Sequence, residues 1–247
     1  MIVFVTLSPI TVSAQRVIHV VVALCDNVNQ GIVPVPATLG NGQDTERNLY
    51  WGAAYGVRSW FDRSKEWKRM DRSAAPRSHV LERIIWKHAT EDVYLVADAY
   101  DGAFIELATR DLLSYAGGHD GTSVTCGGVT LSMGGGADLV AYCGHDGLMD
   151  FAPPADRDPA NNTPRDVIIL ACISKRFFAA PLSSTGASPL LWTTGLMAPE
   201  AYTLDAALQG WIKHEGPGAV RERAAGAYAK WQKCSVAAAR RLLVTGW

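Results

Sequence analysis

From Val17 to Leu24 the chain reads Val-Ile-His-Val-Val-Val-Ala-Leu, β-branched and nearly continuous in its apolar character. A strand with one face in water alternates apolar and polar residues, so a run of this kind needs apolar cover on both faces. A parallel sheet covered by helices supplies it. Further apolar runs follow at Val80 to Trp86, Val93 to Ala97, Ala137 to Cys143, Val167 to Ile173 and Leu190 to Thr194, with amphipathic stretches between them. The expected fold is therefore α/β, a mostly parallel sheet with helices on both faces, its strands near 17–25, 93–97, 137–143, 167–172 and 189–194.

Helical periodicity fills the gaps. Leu49, Ala53, Val57, Trp60 and Phe61 share one helical face, with Asp44 as a candidate N-cap. Asp101 can cap a second helix whose inward face is Phe104, Ile105, Ala108, Leu112 and Tyr115. Two helices close the chain, one from about Pro199 to Ile212. The other starts near Pro217, with Val220, Ala224, Tyr228, Trp231 and Ser235 on one face. Gly31 to Gly42 reads as loop, and the proline-rich stretch from Phe151 to Arg165 excludes a helix.

With 247 residues, 48% of them hydrophobic and 19% charged, the chain can fill one such domain over residues 15–247 without staples or metals. A formal net charge of -1 and the absence of a basic stripe give no case for nucleic-acid binding. Five cysteines leave at least one thiol unpaired, and no Cys-x-x-Cys spacing suggests zinc or a redox motif.

Residues 1–14 are apolar up to Val12 and end in Val12-Ser13-Ala14, the small residues a signal peptidase accepts, although no Lys or Arg precedes them. They are read as a truncated export signal, with a first strand as the competing reading. No later run reaches the length of a membrane span, so the mature chain is expected to be soluble, periplasmic or secreted, and otherwise cytoplasmic.

Open α/β sheets carry reactive groups just beyond the C-terminal ends of their strands. Those ends hold Asp26 and Asn27, then His145 after Cys143-Gly144, then Cys172 after Leu170-Ala171, then Thr193 and Thr194. An imidazole beside a thiol takes its proton or stabilises the thiolate, converting a weak nucleophile into an effective one. Ser132-Met133-Gly134-Gly135 does not serve as a nucleophile elbow, because a glycine run leading into a strand follows it where a helix is required.

Tyr142-Cys143-Gly144-His145-Asp146-Gly147 followed by Ile169-Leu170-Ala171-Cys172 resembles the caspase-like cysteine peptidases, in which an apolar strand ends in His-Gly and the next ends in Ala-Cys or a similar pair. The likeness covers roughly residues 17–212. It implies a caspase-like sheet, a His145/Cys172 dyad acting on a protein or peptide substrate, and no cofactor or metal. It further implies an oxyanion site at the N–H groups of Cys172 and Gly147, or of Asp146, which stands where the family has glycine directly after histidine. Asn27 or Asp26 would orient the imidazole, and Trp192, Thr193 and Thr194 would belong to the substrate-pocket strand. A silent caspase-like fold that binds a partner protein is the alternative. Asp146, Asp150 and Glu200 near the strand ends suggest a pocket for a basic residue immediately before the cut.

If residues 1–14 are an export signal, N-terminal sequencing of the protein from its native source will start at Gln15; an intact Met1 or Ile2 would remove that reading.

Overall fold

The computed structural model describes residues 15–155, 158–161 and 163–247, so the expected export signal lies outside the described residues. One sheet of eight strands organises the chain. Across it the order is β10 (Leu243–Val244), β9 (Ser188–Thr193), β8 (Asp166–Leu170), β7 (Leu139–Cys143), β1 (Arg16–Ala23), β4 (Val93–Tyr100), β3 (Val80–His88) and β2 (Trp67–Arg77). The strands β9, β8, β7, β1 and β4 are parallel. The short β10 runs antiparallel on one edge, and β3 and β2 do so on the other.

Alternation along β1 explains why both faces need cover. Ile18, Val20, Val22 and Leu24 enter one core with α1 (Val57–Arg63), α4 (Ala201–Ile212), α5 (Pro217–Gln232) and α6 (Val236–Leu242). Val17, Val21 and Ala23 enter the other, with α2 (Ile105–Ala116) and α3 (Ser174–Ser183). The expected α/β architecture, mostly parallel with helices on both faces, is the observed one. No helix among the described residues is long and apolar enough to cross a membrane.

Several local expectations change. The helix expected around Leu49 shrinks to α1, and turns occupy most of residues 44–56. Tight backbone approaches impose this: a Cβ on Gly52 would lie 2.2 Å from the Glu46 carbonyl oxygen, and one on Gly56 would lie 2.4 Å from that of Trp51. Asp44 still caps the first of these turns, accepting the N–H groups of Glu46 and Arg47 at 3.0 and 3.1 Å. The glycine-rich patch before β7 contains a hairpin of β5 (Thr122–Cys126) and β6 (Val129–Met133), turned by Gly127 and Gly128 at positive φ. Phe104, expected inward, is exposed and stacks on His79 at 3.6 Å between ring centroids.

Asn48 anchors the loop that leaves β1. Its buried amide accepts from the N–H groups of Cys25 (3.0 Å) and Tyr50 (3.1 Å) and donates to the carbonyls of Cys25 (2.8 Å) and Asn41 (2.9 Å). Each buried group stranded by its removal costs about 1–3 kcal/mol. Asn48→Ala is therefore expected to lower the unfolding free energy by at least about 2 kcal/mol, measured by urea denaturation.

Candidate active site

Leaving β1, the chain builds β2, β3 and β4 in turn on one side, with β4 against β1, and later places β7 on the other. Connections on the two sides of β1 diverge, and such a reversal of strand order opens a crevice at the C-terminal ends of the strands. His145 lies two residues past Cys143 at the end of β7, and Cys172 two residues past Leu170 at the end of β8; Cys143 and Leu170 are register partners. Parallel strands leave the sheet in the same direction, so both residues lie just past adjacent strand ends at one end of the sheet.

Cys172 stands on the elbow between β8 and α3. Ile173, directly after it, is left-handed (φ 53°), and the helix begins at Ser174. The elbow is braced from β9: the Thr193 hydroxyl accepts the Ser174 N–H at 3.1 Å and donates to the Ala171 carbonyl, while the Ser174 hydroxyl takes the Thr193 N–H at 3.0 Å and donates to the Ile169 carbonyl at 2.9 Å. The thiol is half-buried and meets the Met197 backbone, whose N–H lies 3.4 Å and carbonyl 3.6 Å from Sγ. Burial pushes this thiol up; the Met197 N–H opposes the shift, and nearby Asp146 adds to it. Desolvation wins, so the resting thiol is protonated at neutral pH.

His145 is buried and held from two directions. Tyr142 donates its hydroxyl to the His145 carbonyl (2.8 Å), and Nε2 lies 2.8 Å from Asp150 Oδ2. The same carboxylate oxygen accepts the Gly31 N–H at 2.9 Å, tying the loop after β1 to the loop after β7. With Nε2–H directed at a carboxylate, Nδ1 is the nitrogen left to act as a base. No hydrogen bond joins His145 to Cys172 among the described residues; each side chain is held by a partner of its own.

The other expected residues divide. Asn27 closes its loop on itself, donating to the Val35 carbonyl (2.7 Å) and accepting the Val35 N–H (3.0 Å). The Asp26 carboxylate accepts from the N–H groups of Val28 and Asn29 and from the Asn29 amide, an Asx turn at the strand end. The partner of the imidazole is thus Asp150, five residues beyond His145, brought back by the single 3-10 turn Gly147–Met149. Gly147 is buried, and a Cβ there would come within 2.6 Å of the Phe151 ring.

On β9, Trp192 is buried and donates to the Gly246 carbonyl at 3.1 Å, whereas Thr193 braces the elbow. The Thr194 hydroxyl donates to the Arg241 carbonyl at 2.6 Å. Of the acids at the strand ends, Glu200 is held by Tyr202 and Gln232, and Asp150 by His145 and Gly31. Asp146 is fully buried; its Oδ1 accepts the Leu148 N–H at 3.0 Å, and its Oδ2 has no partner. Among the described residues, no group of three or more His, Cys, Asp and Glu side chains is placed to hold a metal ion.

Burial drives the Asp146 carboxyl up to about 7 from 3.8, against the Leu148 hydrogen bond and with help from Asp150. The folded protein keeps this proton where the unfolded chain has released it, so stability falls as pH rises from about 4 to about 7. At about 1.4 kcal/mol per pH unit, the upper bound of the loss is roughly 4 kcal/mol. Asp146→Asn should accordingly raise the melting temperature at pH 8 and change it little at pH 4; equal effects at both would remove the buried charge as the cause. No protein-family model, curated protein or solved structure matches this chain.

Proposed function

We propose that the protein is a cysteine-type endopeptidase of caspase-like architecture, with Cys172 as nucleophile and His145 as general acid and base. One observation carries this reading: a half-buried thiol on a strand-to-helix elbow and a histidine whose Nε2 is held by a carboxylate each lie two residues past register-matched ends of adjacent parallel strands. A nucleophile, a base and a group that orients the base are the parts that acyl transfer needs.

In this scheme Sγ of Cys172 adds to the scissile carbonyl carbon while His145 takes the thiol proton. The C–N bond then breaks, and His145 gives that proton to the departing amine. A water that His145 deprotonates cleaves the resulting thioester, releasing the acid and restoring the thiol. The N–H of Cys172, with that of Gly147 or Asp146, would face the oxyanion; losing one such donor costs roughly 3–4 kcal/mol of transition-state stabilisation. Asp150 is the positioning residue.

The independent partners of the two key side chains, Met197 for Cys172 and Asp150 for His145, favour a second reading. Here the fold is catalytically silent and binds a partner protein.

A thiol-directed epoxide or activated ketone, with the modified residue mapped by mass spectrometry, separates the two readings. Labelling is expected at Cys172, lost in Cys172→Ala and kept in Cys143→Ala, whose buried thiol is pushed up to about 12. Cys172→Ala should abolish proteolysis with the fold intact, and His145→Ala should slow it by roughly 10²–10⁴-fold. A folded protein with Cys172 unmodified would leave the silent fold.

A further inference from the structure

The thiol of Cys172 already has a partner, and it is not the imidazole. Sγ lies 3.6 Å from the Met197 carbonyl oxygen, to which the thiol donates, and 3.4 Å from the Met197 nitrogen, whose N–H it accepts. Both contacts come from one residue of the loop after β9. A thiol has a single hydrogen, so while the Met197 carbonyl holds it, none is directed at His145. The same cover takes water away from Sγ, and desolvation is the largest cause raising this thiol.

The covering segment is built to be held loosely. Residues 194–200 form neither helix nor strand. Firm bonds pin both flanks: the Ile173 N–H donates to the Gly195 carbonyl at 2.9 Å, and the Ala201 N–H to the Tyr55 carbonyl at 2.8 Å. Between these pins the holds are weak. The Met197 N–H has only a thiol sulfur, a poor acceptor, and the Ala198 N–H reaches the Tyr228 hydroxyl at 3.4 Å, long for a hydrogen bond. Met197 packs against the core, whereas Leu196 is 72% exposed. A short segment with firm ends and weak middle contacts opens locally at far lower cost than the sheet beneath it.

We propose that Leu196–Ala198 is an autoinhibitory strap: seated, it takes the Cys172 thiol hydrogen on the Met197 carbonyl and keeps the residue latent, and only when it lifts does the thiol become free to pass that hydrogen to His145. The inference rests on the peptidase reading of this site and names its regulation.

The test is the rate at which iodoacetamide alkylates Cys172 in the full chain, mapped by mass spectrometry, with the exposed Cys234 as internal reference. Wild-type Cys172 should react at least roughly tenfold more slowly than Cys234. Tyr228→Phe deletes only the hydroxyl that Ala198 uses and should speed the reaction about fivefold. Met197→Gly removes the packed side chain and loosens the backbone, and should speed it about tenfold. Tyr94→Phe, at the opposite end of the sheet, should change nothing. Fully buried Cys143 should stay unlabelled in every variant, which separates a lifted strap from general unfolding. Hydrogen exchange adds a second readout: in Cys172→Ala the Met197 amide loses its acceptor and should exchange faster, while the Ile173 amide keeps its rate. Wild-type Cys172 as reactive as Cys234, no acceleration in either strap variant, Cys143 labelling in step with Cys172, or an unchanged Met197 amide would each overturn the proposal. Acceleration in the strap variants with no cleavage of a denatured protein by any of them keeps the strap and removes the peptidase. A freely reactive Cys172 that does cleave removes the strap alone.

Discussion

Everything at the candidate site hangs on β1, which is hydrogen-bonded along both edges and buried on both faces. Its residues from Ile18 to Val22 pair with β4 on one side and β7 on the other. A strand so placed has no freedom of register, because a slip of one residue would exchange the side chains between two dry cores. It is also where strand order reverses. Beyond Ala23 the loop after β1 meets the loop after β7 through the Gly31 N–H and Asp150.

The one polar side chain in that run shows what such burial demands. His19 lies in the core, accepting the Gly134 N–H at Nδ1 (3.0 Å) and meeting Asp98 at Nε2 (3.3 Å). Burial alone would raise the Asp98 carboxyl, yet Arg83 and His19 together hold it down to about 2. Arg83 reaches both oxygens of Asp98, at 2.6 and 2.7 Å. The group thus links β1, β3, β4 and the turn before β7, and it satisfies a charge that would otherwise be very costly to bury. Asp146 shows the opposite solution: with one oxygen unpartnered, it retains its proton to near neutrality.

At the site, opposing effects set the resting state. The Met197 N–H favours a thiolate at Cys172, but desolvation and Asp146 outweigh it. His145 is fixed by Asp150, which also fixes the loop at Gly31.

The sequence by itself determined six of the eight strands of the sheet and their ends; the mostly exposed β2 and the two-residue β10 carry no apolar run to mark them. β-branched runs such as Val17 to Leu24 and Val167 to Leu170 can be satisfied only when covered on both faces, and the placement of His145 and Cys172 just past two strand ends was legible for that reason. It did not determine the short-range geometry. The partner of His145 is Asp150 in place of Asn27 because a 3-10 turn, set by packing against Phe151, brings the chain back on itself. Thr193 braces the elbow through Ser174, a contact between chain segments with no periodic signal. The helix expected near Leu49 gave way to turns because Gly52 and Gly56 meet backbone from residues 45–51. Hydrophobic periodicity encodes what each residue must face, but which polar groups meet across a loop depends on three-dimensional closure, and the tertiary structure alone decided that.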